Sequence, residues 1–242
     1  METLFIADLH LSSDKSNDLA LKFLSERAKK ADALYILGDL FETWLGDDEP
    51  NYQEILTSLY NLTIPVFIMH GNRDFLLGKK FSAITGCQLI PDHYIIDLYG
   101  IPTLLMHGDT LCTLDIDYQA FRKQVRDPNW QKFFLSQPLE VRRKLAKQAR
   151  DSSQLKVKNN IPKIMDVTPD AVNQVLLKYN VNQLIHGHTH LPKVHKEGDR
   201  TRWVLGNWTN NSAVVLSCNS EQCQLIDIVN NIVASPEQSS VV

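Results

Sequence analysis

The chain has 242 residues, of which 43% are hydrophobic and 22% charged, and a formal charge of −3. That length buries a full core, and that usage excludes intrinsic disorder and fibrous repeats. No apolar run reaches the roughly 18 residues that cross a bilayer, and no basic leader precedes the first apolar segment, so a cytoplasmic, non-spanning chain is expected.

The net charge is unevenly spread. Residues 122–163 hold twelve Lys or Arg against three Asp or Glu, a local +9, which leaves −12 for the remainder. A block of this kind marks an anionic partner or surface. The four cysteines, Cys87, Cys112, Cys218 and Cys223, form no C-x-x-C. Reduced thiols are therefore expected, with neither a zinc knuckle nor a disulfide framework.

In chain order, apolar residues 4–7 read as a strand and amphipathic residues 19–28 as a helix. A strand at 34–37, a helix at 55–62 and a strand at 66–69 follow, giving a βαβ rhythm. Beyond Gly86, strands at 94–98, 103–106, 184–186, 203–205, 213–217 and 224–229 crowd together. Turn signals at Tyr99-Gly100 and Glu197-Gly198-Asp199 point to antiparallel pairing there. Two sheets packed face to face with helices outside are expected. Residues 115–165 contain no strand, and Pro128, Pro138 and Pro162 divide them into helical pieces such as 139–150, a helical insertion in one domain spanning 1–242. The tail after Ala234 is expected to fray.

Five strand ends terminate in metal-compatible residues. Asp8 and His10 follow the first strand and, two residues apart, share one side of an extended chain. Asp39 follows the second, and its two oxygens suit it to bridge a pair of cations. Gly71 turns the chain before Asn72, a neutral oxygen ligand. His107 ends the 103–106 strand, and His188 and His190 follow 184–186. Each motif alone has a bland reading; Asp39, for example, could be a helix cap. Together they gather where α/β sheets bind ligands. Oxygen and imidazole donors without thiolate suit Mn²⁺, Fe²⁺ or Mg²⁺ better than structural zinc, so two divalent ions, Mn²⁺ foremost, are the expected cofactors. His70 and His186 are expected to be hydrogen-bonded packing groups or supports to the ligands.

The ordered blocks D-x-H, G-D, G-N-R-D, H-G-D and G-H-T-H resemble the calcineurin-like metallophosphoesterases. That resemblance implies a four-layer α/β/β/α sandwich. It assigns Asp8, His10, Asp39 and His190 to one metal, and Asp39, Asn72, His107 and His188 to the other. Longer stretches are similar to the UDP-2,3-diacylglucosamine hydrolase family of lipid A biosynthesis: 38–48, 70–74, 107–113, 118–122 and 164–167. The likeness implies hydrolysis of a diphosphate to UMP and a lipid 1-phosphate, with Asn72, Arg73 and His188 at the reaction centre. Asn72, Arg73, Asp115, Ser153, Asn160 and His188 would contact substrate. Asn160 stands where the family carries a lysine, Val157 where it carries a polar residue, and Leu114 where an aspartate is usual.

Two rivals accompany this reading. A nuclease would use the basic segment to grip nucleic acid and calls for stacking aromatics along a groove, whereas Trp130, Phe133 and Phe134 cluster in one short piece; no nucleic-acid partner is expected. A metal-free scaffold would have lost ligands, and all seven are present. The insertion pairs its charge with Trp130, Phe133, Phe134, Leu135, Leu139 and Leu145, so it is expected to cap the metals, receive acyl chains and touch the anionic inner-membrane surface.

Overall fold

The structure is a computed structural model that describes residues 1–13, 16–159 and 166–234, with side chains of 152–159 left aside. Two sheets carry it. The first orders β12 (Ile232–Ala234), β11 (Cys223–Asp227), β10 (Val214–Cys218), β1 (Thr3–Ile6), β2 (Ala33–Ile36), β3 (Val66–Met69) and β4 (Gln88–Ile90). Strands β1 to β4 run parallel and β10 to β12 antiparallel. The second orders β5 (Tyr94–Leu98), β6 (Ile101–Met106), β7 (Gln183–His186), β9 (Arg200–Val204) and β8 (Lys193–Glu197), with β6, β7 and β9 parallel.

Alternation along the strands builds the layers, because successive side chains leave opposite faces. Leu4, Leu34, Ile36 and Ile68 bury outward against Phe23 and Leu24 of α1 (Asp18–Glu26), Ile55 and Leu59 of α2 (Gln53–Tyr60), and Phe81 of α3 (Lys79–Thr85). Phe5, Tyr35, Leu37 and Met69 point inward and meet Leu105, Ile185 and Trp203 of the second sheet. Leu104, Met106 and Leu184 leave the far face for Val172, Val175 and Leu176 of α7 (Pro169–Tyr179). Three apolar interfaces between four layers give the α/β/β/α sandwich, each fully buried large side chain contributing about 1.5–3 kcal/mol.

Residues 116–159 supply three helices: α4 (Ile116–Val125), α5 (Pro128–Leu135) and α6 (Leu139–Asn159). Asp115 caps α4 by accepting from the Tyr118 amide, and Asp127 caps α5 by accepting from Asn129 and Trp130, with Pro128 in the first turn. Pro162 and the tail after Ala234 lie outside the described residues. No helix among those described is long and apolar enough to cross a membrane.

The cysteine expectation needs correction. Cys218 and Cys223 face one another across the β10–β11 hairpin and are joined in a disulfide, whereas Cys87 and Cys112 are buried thiols outside it. Hairpin register, invisible in a spacing of five, brings the last pair together.

Candidate metal centre

The loops after β1, β2, β3, β6 and β7 meet at one edge of the sandwich. Backbone bonds lock them: Asp8 and His10 donate to the carbonyls of Gly38 and Asp39 at 3.1 and 3.0 Å, and Gly187 donates to His107 at 2.9 Å. At this edge the sheets are joined by bonds from His107 Nδ1 to the Leu37 carbonyl at 2.9 Å and from the His188 amide to Asp8 Oδ2 at 2.8 Å. Asp74, fully buried, ties two loops by accepting from Leu40 and Gly71, both at 2.8 Å.

The backbone at this edge is not the extended chain expected for Asp8 and His10. Asp8, His10, Asp39, His188 and His190 all hold φ between 49° and 69°, the left-handed region that non-glycine residues seldom occupy. Gly71 is required for a different reason: a Cβ there would come within 2.0 Å of Asp39 Oδ1.

Side-chain atoms converge on two points. Around one, His10 Nε2 lies 3.2 Å from His190 Nε2 and 3.9 Å from Asp39 Oδ2, and His190 Nε2 lies 3.6 Å from Asp8 Oδ1. Around the other, Asn72 Oδ1 lies 2.9 Å from both His107 Nε2 and His188 Nδ1, with Asp39 Oδ1 3.9 Å from His107 Nε2. Asp39 thus turns one oxygen to each group. Asp8 also lies close to the second, since its carboxylate, that of Asp39 and the His107 imidazole offer donor atoms within 4.8 Å of one another.

Electrostatics favour a cation here. Asp8 and Asp39 are almost fully buried, and Asp8 Oδ1 has no hydrogen-bond partner among the described residues. Burial, reinforced by Asp74 and Asp8 against the pull of His107, lifts the Asp39 carboxyl to about 6. Burial would also raise Asp8, but His190, His107 and His10 bring it below the ordinary carboxylate value. Burial alone would depress His107, yet Asp39, Asp109 and Asp8 raise it to about 9. Burial and the neighbouring His107 hold His188 down at about 4, so it is neutral and free to donate a lone pair. Buried carboxylates, neutral imidazole and an orphaned oxygen fit divalent cations.

Two other histidines behave as expected for supports. His186, fully buried and held at about 3 by burial and Arg202, donates from Nδ1 to the Gly187 carbonyl while Nε2 accepts from Arg202. His70 contacts the Leu77 carbonyl at 2.8 Å.

Of the expected substrate contacts, Arg73 is half-buried beside the centre; its amide donates to Asp39 Oδ1 at 2.8 Å and its Nε has no partner among the described residues. Asp115 is occupied as the α4 cap. The Ser153 side chain and Asn160 lie outside the described residues, as does the side chain of Val157.

The basic segment divides its charges between two sides. Its arginines turn inward: Arg122 pairs with Asp109 at 2.7 Å and Asp92 at 3.1 Å, Arg126 donates to the Gly71 carbonyl at 2.8 Å, Arg142 pairs with Asp48, Arg143 with Glu49, and Arg150 with Glu42. Its lysines Lys123, Lys132, Lys144 and Lys147 are exposed. The aromatic pair also separates. Phe133 is exposed, whereas Phe134 is buried against Trp130, ring centres 4.9 Å apart, and joins the core below α1 to α3. A short aromatic run on a helix necessarily points in several directions, so composition could not show this split.

Sequence reasoning missed the group beside His107: Asp109 accepts from Tyr118 and Arg122, and the Tyr118 ring lies 5.9 Å from that of His188. Its signal was present, since Asp109, Tyr118 and Arg122 stand in motifs already singled out.

Residues 1–192 match the calcineurin-like phosphoesterase family. Among curated proteins, the chain is 49% identical to a UDP-2,3-diacylglucosamine hydrolase of Serratia proteamaculans, over 86% of this chain and 91% of that one. It is 49% identical to one of Coxiella burnetii (88% and 92% covered) and 44% identical to one of Photobacterium profundum (93% and 96%). Among solved structures, it is similar in fold to vacuolar protein sorting 29 of Cryptosporidium parvum, with TM-score 0.54, 14% identity, and 96% and 94% of the chains covered. The phosphoesterase YfcE of E. coli matches with TM-score 0.51, 16% identity and 97% of each chain.

Proposed function

This chain belongs to the calcineurin-like phosphoesterase family, and from that premise we propose that it hydrolyses the diphosphate of UDP-2,3-diacylglucosamine to UMP and 2,3-diacylglucosamine 1-phosphate, a step of lipid A biosynthesis. The observation that carries the substrate is the likeness to hydrolases named for it, 49% identical over 86% of the chain. The convergent donor atoms support the chemistry.

Two divalent ions, Mn²⁺ by preference, would be held by Asp8, His10, Asp39 and His190 and by Asp39, Asn72, His107 and His188, with Asp39 between them. Bound ions of this kind lower the pKa of water toward neutrality and stabilise phosphoryl charge. The protein's own contribution is position and charge. Arg73, whose guanidinium stays charged, grips phosphate oxygens, but it is a poor proton donor at neutral pH. A diphosphate needs none, because its leaving group is a phosphate monoester whose second pKa is about 6. Asn72 and His188 line the same point from the sides of β3 and β7, and the family likeness would add Asp115, Ser153 and Asn160 as substrate contacts.

We treat residues 1–242 as one domain with a helical cap at about 115–165. The cap rests on the inner membrane surface through its exposed lysines and through Phe133, Leu135 and Leu145, which are also exposed. Mass spectrometry of products tests the whole reading. UMP and the lipid phosphate should form from UDP-2,3-diacylglucosamine with Mn²⁺, and no product should form from a DNA oligonucleotide or a cyclic nucleotide. Cleavage of the oligonucleotide at a comparable rate would overturn it.

A further inference from the structure

We propose that Glu42 and Arg150 are positioning residues for the metal centre, so that the docking of α6 sets how tightly His10 holds its ion; this rests on the metal reading above. His10 has two ring nitrogens with separate surroundings. Nε2 faces His190 Nε2 at 3.2 Å and Asp39 Oδ2 at 3.9 Å, inside the donor cluster. Nδ1 faces away, 3.1 Å from Glu42 Oε2, in a contact bent from a linear N–H···O. A carboxylate at that nitrogen holds the proton on Nδ1 and leaves the Nε2 lone pair for the ion, while fixing the ring plane.

Glu42 is in turn held from the insertion. Arg150 Nη2 meets the Glu42 carboxylate Oε1 at 2.5 Å, its carbonyl at 2.7 Å and the neighbouring Thr43 Oγ1 at 2.9 Å. One guanidinium therefore fixes both the backbone and the side chain of the residue that orients His10. Two further arginines of the insertion reach other ligand loops: Arg126 at the Gly71 carbonyl, next to Asn72, and Arg122 at Asp109, two residues beyond His107. Among the described residues the insertion grips three of the five loops, and at His10 the grip passes through a side chain that faces a ligand.

Mn²⁺ affinity, measured on the full chain by competition with a fluorescent chelator, tests this without reference to turnover. Glu42→Gln should weaken Mn²⁺ binding about 10- to 100-fold, the range for loss of an outer partner of a ligating histidine. Arg150→Lys, which keeps the charge but carries its donor nitrogen on a shorter, non-planar side chain, should weaken it roughly several-fold. The double variant should bind no more weakly than Glu42→Gln alone, because the two act in series. Arg143→Lys, whose partners Glu49 and Glu140 contact neither His10 nor Glu42, should match the wild type. Unfolding temperatures in excess chelator separate loss of fold from loss of affinity, and the charge-conserving Arg150→Lys carries the test if Glu42→Gln does not fold. Affinities within twofold of wild type, or additive losses in the double variant, would overturn the proposal while leaving the metal centre standing. A wild-type chain that takes up no Mn²⁺ would remove the centre and the proposal with it.

Discussion

The edge of the sandwich and the helical insertion above it meet at the same place but are held by different means. At the edge, the backbone does the positioning: left-handed residues and carbonyl bonds between loops aim the donors, and Gly71 has no room for a side chain. In the insertion, side chains do it, with arginines facing the acidic body and lysines facing outward. The division follows from chemistry, since a planar guanidinium is weakly hydrated and forks onto carboxylates and carbonyls, whereas an ammonium keeps its water. Geometry that must be held tightly is written into the main chain; a surface is attached by replaceable anchors.

The largest effect that could break this contrast lies at the edge. Asp39→Ala should lower the hydrolysis rate by more than the roughly 100-fold that loss of an outer partner costs, under any divalent metal, and a tenth of wild-type activity would count against a shared carboxylate. The next separates two neighbours within the insertion. Phe134→Ala should cost about 3–5 kcal/mol of stability, read by denaturant unfolding. Phe133→Ser should stay within about 0.5 kcal/mol yet slow hydrolysis of the diacyl substrate and spare a small phosphodiester; proportional loss of both activities would make Phe133 structural. At the edge again, Arg73 in place of a proton donor should give diphosphates at least about a tenfold advantage over unactivated alkyl monophosphates, and equal rates would contradict its assigned role. The smallest effect sharpens the outward face. Each of Lys123, Lys132, Lys144 and Lys147 replaced by Gln should weaken flotation with anionic vesicles by about 1 kcal/mol, an effect that fades at high salt, while Arg142→Gln should act through stability instead.

The same contrast explains what the sequence disclosed. Each candidate metal motif is a few contiguous residues after an apolar run, so strand periodicity predicts both the strand and the loop in which the candidate donors lie. Asp8, Asp39 and His107 were legible for that reason, as were the layers formed by alternation at 4–7 and 34–37. Strands β4 and β8 were not, because short edge strands with exposed faces lack an apolar pattern. Helix α7 went unread although Pro169 opens it and Asn180, at φ 52°, ends it, signals that sequence alone carries. The insertion's helices were visible from its prolines, but its net charge concealed that arginine and lysine serve opposite faces. Contacts across 94 or 107 residues, such as Arg142 to Asp48 and Arg150 to Thr43, leave no local trace.

Five of the seven expected ligands sit in left-handed backbone, a conformation that costs of order 1 kcal/mol per residue. The sum is several kcal/mol in a fold whose margin is typically about 5–15 kcal/mol. Heat resistance and hydrolysis therefore pull these positions apart over generations. A lineage freed from the reaction but still selected to stay folded would drift first at residues 8, 10, 39, 188 and 190, toward glycine and asparagine, leaving the four layers intact around a silent edge.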